Sequence, residues 1–565
     1  MAKKKHLVSF SLFAPYNEDV TLIGDWNDWE PVEMQRRDDG WWHVGLPLDD
    51  GEYQYKFRLK SNSYFQEGQN VAVTDPRALR VTRDQQENAI VRVKDGQRVV
   101  TTYEWQHNDV HLPQNHELII YETHIGDFTG ETGEGLNPAG EYFKKATERL
   151  DYLADLGINA VELMPVNDFP GGYSWGYNPR FLFAVENSYG SPDDLCRLID
   201  ECHARGIRVI LDGVYNHSED KTPLAHMDYA YWYYRENPDD PEHHWGPKFN
   251  YGYHDDKLGI WPARSFIHDA LRFWIDHFHI DGIRFDATAI IENYDVLHWL
   301  NETVYQYIKG IKPFFTIAEH VPQDPTVTGL GGPMDAAWHE TFSKQIMATL
   351  CARDQDGFEA FNMDAIATVL QPTQEGFDSA YNAINYIDNH DQNRIMWRLG
   401  EAGIFDDAAF RRMKLGAGLL LTAAGIPMLW MGQEFGQSNP KTVFDPQPLQ
   451  WSLLDNERNG DLHRYYKGLI HFRKDNPALV TPNIEVIHLD HERKILAFKR
   501  WNDEGNVVIV VANLLDQYAG DVEIGNWHED GAWHEYLDDY DIEVQGGVLR
   551  DTLAESEVKV YVKAG

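Results

Sequence analysis

The sequence predicts an α/β protein: a (β/α)8 barrel over residues 109–475, preceded by an N-terminal β-sandwich module over 1–108 and followed by a C-terminal antiparallel β-sandwich over 476–565. Three observations predict it. From about residue 117 apolar strand-like runs alternate with amphipathic helical stretches, the pattern of a parallel sheet wrapped by helices. Several of those runs end in polar residues rich in Asp, Glu, His and Asn, and a barrel gathers the C-terminal ends of its strands around one basin. On both flanks the pattern changes to short alternating runs broken by turn clusters, which read as antiparallel β-structure.

In the first hundred residues the runs 20–23, 41–46 and 53–59 alternate apolar and polar side chains. Asn27-Asp28, Asp38-Asp39-Gly40 and Asp49-Asp50-Gly51 separate them, residues whose short side chains or free φ suit tight turns. The barrel is expected to begin with a strand at 118–122, a single helix at 142–156, a second strand at 160–164, a helix at 192–205 and a third strand at 209–212. The fourth and fifth strands are expected to end at Asp286 and Glu319, the sixth to span 335–338, the seventh 383–388 and the eighth 426–431. Between 217 and 253 a polar, aromatic, His-rich stretch has no long periodicity and reads as a short irregular insertion after the third strand. Beyond 475 the runs 494–499, 507–513, 533–537 and 558–562 return to β character.

Bulk properties narrow the partners. With 90 acidic against 50 basic residues the formal charge is −40, which argues against nucleic acid or an anionic membrane and is indifferent to a neutral polymer. A hydrophobic content of 42% supports a large core, and 13% aromatics suit either core packing or stacking on sugar rings. The three cysteines, Cys196, Cys202 and Cys351, form no CxxC pair, so neither a disulfide framework nor a zinc site is expected. No run of about 18 apolar residues is present, so no membrane span is expected. The basic start MAKKKH leads into a short, serine-interrupted apolar stretch without a small-residue cleavage site, and a cytoplasmic location is expected.

Four segments carry the candidate chemistry: LDGVYNH at 211–217, DGIRFDA at 281–287, FTIAEH at 315–320 and YIDNHDQ at 386–392. If each closes a barrel strand, one basin holds Asp212, Asp286, Glu319 and Asp391, and carboxylates so crowded are costly to bury without a chemical use. In this order and spacing the segments resemble those of the α-amylase superfamily of retaining α-glycosidases and transglycosidases, over most of the chain. GDWNDW at 24–29, followed by GEYQYKFRL, resembles the starch-binding-type module that precedes the barrel in some members. Trp26 and Trp29 could therefore stack on glucan, or pack the sandwich.

The resemblance implies roles residue by residue. A retaining enzyme needs a carboxylate nucleophile and a protonated carboxyl about 5 to 5.5 Å apart. By resemblance Asp286 is the nucleophile, Glu319 the general acid/base, and Asp391 the carboxylate that grips the 2- and 3-hydroxyls of the sugar. Arg284, two residues before Asp286 on one strand, points to the same side and would hold Asp286 ionised. Crowding by Asp286 and Asp391 would raise the pKa of Glu319. His217 and His390 are candidates for hydrogen bonds to sugar hydroxyls, Tyr177 with Trp175 for stacking, and Asp212 and Asn216 for shaping the site. Glu162 and Glu434 read as structural partners of backbone or Arg. No cofactor is expected: calcium occurs in many amylases, and Asn216 could be a ligand, but no second acidic cluster supports it. His243-His244 lacks metal spacing.

Within the superfamily the signals are mixed. ELMPVNDFPGG at 162–172, DAAWHETF at 335–342 and NHDQ at 389–392 look like maltooligosyl trehalose trehalohydrolases, whereas WGPKFNYG at 245–252 and MGQEF at 431–435 look like glycogen branching enzymes. The expectation is retaining hydrolysis of α-1,4 bonds in maltooligosaccharides or glycogen-like glucans, with branching transfer and trehalose release as alternatives. A non-enzymatic glucan-binding protein is disfavoured, because all three carboxylates, Arg284 and both histidines are in place.

Overall fold

The computed structural model describes residues 7–132, 135–136, 140–235, 245–291, 293–308, 310–443 and 445–564. Eight parallel strands close into a barrel: β1 (Ile120–Thr123), β2 (Ala160–Leu163), β3 (Arg208–Gly213), β4 (Gly282–Phe285), β5 (Phe315–Ala318), β6 (Ala336–Trp338), β7 (Ala383–Asn385) and β8 (Ile426–Trp430), with β8 pairing back to β1. Alternate side chains divide between two cores, as the two-residue period of a strand requires. Leu118, Ile120, Ala160, Ile210, Phe315, Ile317, Trp338, Ile384 and Met428 belong to a cluster filling the barrel interior. Tyr121, Val161, Val209, Leu211, Ile283 and Phe285 belong instead to the larger core shared with the helices. Burying each large apolar side chain contributes about 1.5–3 kcal/mol.

The order of elements follows the sequence reading, and the departures have local causes. The expected helix at 142–156 is two, Tyr142–Thr147 and Leu150–Leu156. Thr147 Oγ1 bonds back to the Phe143 carbonyl at 2.8 Å, and Arg149 leaves helical geometry with its guanidinium 4.2 Å from the Trp451 ring centroid. Strand β7 stops at Asn385 rather than Asp388, its last pairing being Asn385 opposite Pro427 of β8. The helix Pro192–Ala204 matches expectation. Ser191 caps it reciprocally with Asp194 and Pro192 opens it, a cap worth about 1 kcal/mol.

The insertion is a correction: it is not irregular throughout, since it contains a helix at Pro223–Trp232, kinked at Asp228. The kink frees backbone carbonyls, and residues of the N-terminal module take them up. Asn17 Nδ2 donates to the Met227 carbonyl at 2.9 Å, Asn62 N to the same oxygen at 2.9 Å, and Ser61 Oγ to the His226 carbonyl at 2.7 Å. The N-terminal module thereby holds this helix of the insertion. His243-His244 lies outside the described residues.

That module consists of two antiparallel sheets, one containing Val8–Phe13 and Trp41–Leu46, the other Glu18–Gly24 and Gly51–Lys60. Trp26 packs within it, 5.4 Å from the Phe10 ring and 6.4 Å from that of Tyr53. At the other end a six-stranded antiparallel sheet and a two-stranded one form the C-terminal unit. Buried Arg500 joins it to the barrel by donating to the carbonyls of Thr422 and Ala423, each at 2.6 Å, on the side of β8 away from its C-terminal end. Cys196, Cys202 and Cys351 are free and buried. Among the described residues no helix is long and apolar enough to cross a membrane.

Candidate active site

A cleft of about 570 Å³ opens at the C-terminal ends of the strands, lined in part by Tyr177, His217, Asp286, Glu319, His390 and Asp391. At its floor lies Arg284, fully buried, with its guanidinium 4.3 Å from the Trp338 ring centroid. The register sets Asp212 of β3 beside Arg284 of β4, and Phe285 of β4 beside Ala318 of β5, so Asp286 and Glu319 emerge from adjacent strands. Arg284 Nη1 donates to Asp212 Oδ1 at 2.6 Å and to Asp286 Oδ1 at 3.0 Å, while Nη2 lies 2.8 Å from Glu319 Oε2. Three carboxyl groups thus share one guanidinium. One cation cannot neutralise three buried carboxylates, so the cluster favours retaining a proton.

Other partners decide where that proton sits. Asn216 Nδ2 donates to Asp286 Oδ2 at 2.9 Å and to its carbonyl at 3.0 Å. Glu319 accepts one backbone bond, from Ala287 N at 2.8 Å. Ala287 has φ +43°, a left-handed conformation unusual for alanine, which turns its N–H toward Glu319. Burial, reinforced by the charges of Asp286 and Asp391 against the pull of Arg284, pushes Glu319 up to about 7. The sequence reading assigned this shift to like charges; burial is the larger cause. Burial also raises Asp286, and Arg284 and Asn216 oppose it.

On the opposite wall the charges alternate. Buried His390 donates from Nδ1 to Glu122 Oε1 at 2.6 Å and from its backbone N to Glu122 Oε2 at 3.2 Å, and its Nε2 lies 3.4 Å from Asp391 Oδ2. Burial opposes a charged imidazole, but Asp391 and Glu122 outweigh it and raise His390 to about 9. Burial likewise resists ionisation of Asp391, yet His390 and Lys441 hold it down to about 2. The Tyr177 ring stacks on His390, centroids 4.9 Å apart and planes within 17°, and its hydroxyl donates to Asp212 Oδ2 at 2.5 Å.

Two expected sugar contacts are more enclosed than the sequence suggests. Both ring nitrogens of His217 face protein oxygens, Asn216 Oδ1 and the Tyr177 carbonyl, the latter at 2.9 Å, and burial lowers its pKa to about 4. His217 reaches a ligand only by exchanging one of these partners. Trp175 is 6% exposed, meets His390 edge-on and has the Lys441 ammonium 5.6 Å from its ring centroid. Asn216, read as a calcium ligand candidate, spends its amide on Asp286 and His217. Among the described residues no group of three or more His, Cys, Asp or Glu is arranged to hold a metal ion.

Glu434 takes tyrosines in place of the expected backbone or Arg partner, accepting from the hydroxyls of Tyr121 at 3.0 Å and Tyr152 at 2.6 Å. Glu162 departs from the expected backbone or Arg partner: among the described residues both its oxygens are buried without a hydrogen bond. Burial, with Glu122 beside it across the β1–β2 ladder, raises its pKa strongly. Sequence reasoning missed Glu122 and Lys441. The signal for Glu122 was its parity, two residues after inward-facing Ile120; Lys441 sits on an aperiodic loop.

Known proteins match this architecture. A family described as "Alpha amylase, catalytic domain" matches residues 136–257 and 262–505, and one described as "Carbohydrate-binding module 48 (Isoamylase N-terminal domain)" matches 2–78. Malto-oligosyltrehalose trehalohydrolase of Saccharolobus solfataricus is 30% identical over 83% of this chain and 85% of its own. The 1,4-alpha-glucan branching enzyme GlgB of Thermosynechococcus vestitus is 27% identical over 92% of this chain and 72% of its own. The crystal structure of pullulanase type I from Bacillus subtilis, complexed with maltose, superposes with a TM-score of 0.78 over 100% of this chain and 86% of that one, at 20% identity, a likeness of fold.

Proposed function

Because this chain belongs to the alpha-amylase family, we propose that it cleaves α-1,4-glucosidic bonds in maltooligosaccharides or glycogen-like glucans through a covalent glycosyl–Asp286 intermediate resolved mainly by water. The observation that carries the reading is the pair Asp286 and Glu319 held on two nitrogens of one guanidinium, with Glu319 raised to about 7. Carboxyls on one guanidinium suit the short separation of a retaining enzyme.

In the first step an Asp286 oxygen bonds the anomeric carbon as the glycosidic C–O bond breaks, and the Glu319 proton passes to the leaving oxygen. In the second, Glu319 takes a proton from water as the water oxygen displaces Asp286, restoring both carboxyls and giving a product of retained configuration. Asp391, ionised at any working pH, accepts sugar hydroxyls and stabilises positive charge developing on the ring. Tyr177 stacks on His390, the neighbour of Asp391, and Asp212 serves by holding Arg284 and Tyr177.

Transfer to a 6-hydroxyl is the second reading, supported by likeness to GlgB over 92% of the chain. Release of trehalose falls within the hydrolytic reading and is supported by the trehalohydrolase relative. Incubation with amylose, maltoheptaose and maltooligosyl trehalose, followed by chromatography and proton NMR, separates the three. Hydrolysis gives short maltooligosaccharides with rising reducing ends, or free trehalose from the third substrate alone. New α-1,6 signals without matching reducing ends would replace hydrolysis by branching.

A further inference from the structure

The loop that follows β8 carries a cation to the edge of the cleft. Lys441 Nζ donates to Asp391 Oδ1 at 2.9 Å and lies 5.6 Å from the Trp175 ring centroid. Its backbone N donates to Asn393 Oδ1 at 2.6 Å, which ties this loop to the one after β7 independently of the side chain. Two residues on, exposed Val443 lines the same cleft. The ammonium and the carboxylate are both partly open, at 32% and 47% side-chain exposure.

A carboxylate accepts protons from sugar hydroxyls but offers none to their oxygens. An ammonium has three N–H groups, and Asp391 uses one of them here. Side by side, the two groups address both halves of a vicinal diol: the hydroxyls donate to Asp391, and Lys441 donates to the hydroxyl oxygens. Desolvation of the ammonium is limited, since Trp175 offers it a ring face and Asp391 a charge.

The geometry points to Lys441 as a substrate-binding residue for the sugar unit that Asp391 holds. This rests on the α-glucan reading and adds to it a cationic donor on the third-carboxylate side of the cleft. Asp391 does not need Lys441 to be ionised, because His390 remains beside it. The contribution therefore belongs to binding, alike in ground and transition states, and appears in KM rather than kcat.

The test has two arms. With the active enzyme and maltoheptaose, Lys441→Met is expected to raise KM about tenfold with kcat changed less than about twofold, and Lys441→Arg to recover most of the loss. With the Asp286→Asn form, calorimetric titration of maltoheptaose is expected to show a matching tenfold weakening when Lys441→Met is added. An unchanged KM and affinity would overturn the proposal. So would a lowered KM, which would make Lys441 a clamp that substrate has to displace. Failure of the Asp286→Asn form itself to bind maltoheptaose would bring down the α-glucan reading, and this assignment with it. The backbone bond to Asn393 survives either substitution, so an unchanged melting temperature accompanies the expected result.

Discussion

Asp286→Asn is expected to lower kcat on maltoheptaose by on the order of 10⁴-fold or more while leaving the fold and glucan affinity in place. The amide is nearly isosteric with the carboxylate: its oxygen can keep the bond from Arg284, its NH2 replaces the oxygen that accepts from Asn216, and Asn216 keeps its bond to the backbone carbonyl of this position. Arg284 also keeps Asp212 and Glu319, so the substitution leaves no buried cation unpaired. What is lost is the nucleophile, together with one of the two side-chain acceptors. A melting temperature near that of the wild type, maltoheptaose binding by calorimetry and no detectable turnover form the expected set. Residual activity near the wild-type level would mean that Asp286 does not form the covalent bond.

Glu319→Gln is expected to cost about 10³-fold in kcat/KM on maltoheptaose, within the range for loss of a general acid. The loss should be selective. An α-glucosyl fluoride has a leaving group that departs without a proton, so the first step on such a substrate is far less impaired than on a maltooligosaccharide. The pH profile gives an independent check with a definite sign. Glu319 acts protonated in the first step and titrates at about 7, so wild-type kcat/KM should fall as pH rises through about 7. In Glu319→Gln that alkaline limb should disappear. An unaltered limb would assign it to a different group.

Much of this was legible in the sequence, for physical reasons. Strands buried on both faces read as continuous apolar runs, and where each run ends in Asp, Glu or His the chain declares the polar rim of a barrel. Asp286, Glu319 and Asp391 stand out on those terms. The two-residue period placed Arg284 on the same face as Asp286, and the structure finds it bonded there. Glu122 escaped notice because its partner, His390, is 268 positions away and only barrel closure brings the first strand's end to it. Lys441 escaped because a loop lacks periodicity and its contact to Asp391 depends on how Asn393 anchors it.

The helix at Pro223–Trp232 was hidden for another reason. Its apolar residues follow no clear helical stripe, and it is kinked, with the broken turn satisfied by Asn17, Ser61 and Asn62 of a different module. Local propensity carries no record of such partners. Similarly, Trp175 reads as a stacking platform in the motif YSWGYNP, but whether its face is open depends on Lys441, which arrives on the loop after β8. Residues that act through their own strand are readable in sequence, whereas those defined by contacts between distant loops are not.

The central claim is a covalent bond between Asp286 and the anomeric carbon of an α-glucan. It is tested most directly by trapping: the enzyme is incubated with a 5-fluoro-α-glucosyl or maltosyl fluoride, digested and analysed by mass spectrometry. The account predicts a mass increase of one fluoroglycosyl unit on the peptide containing Asp286, absent in Asp286→Asn. A label on another residue, or active enzyme that turns over the reagent without ever carrying a label, would contradict it.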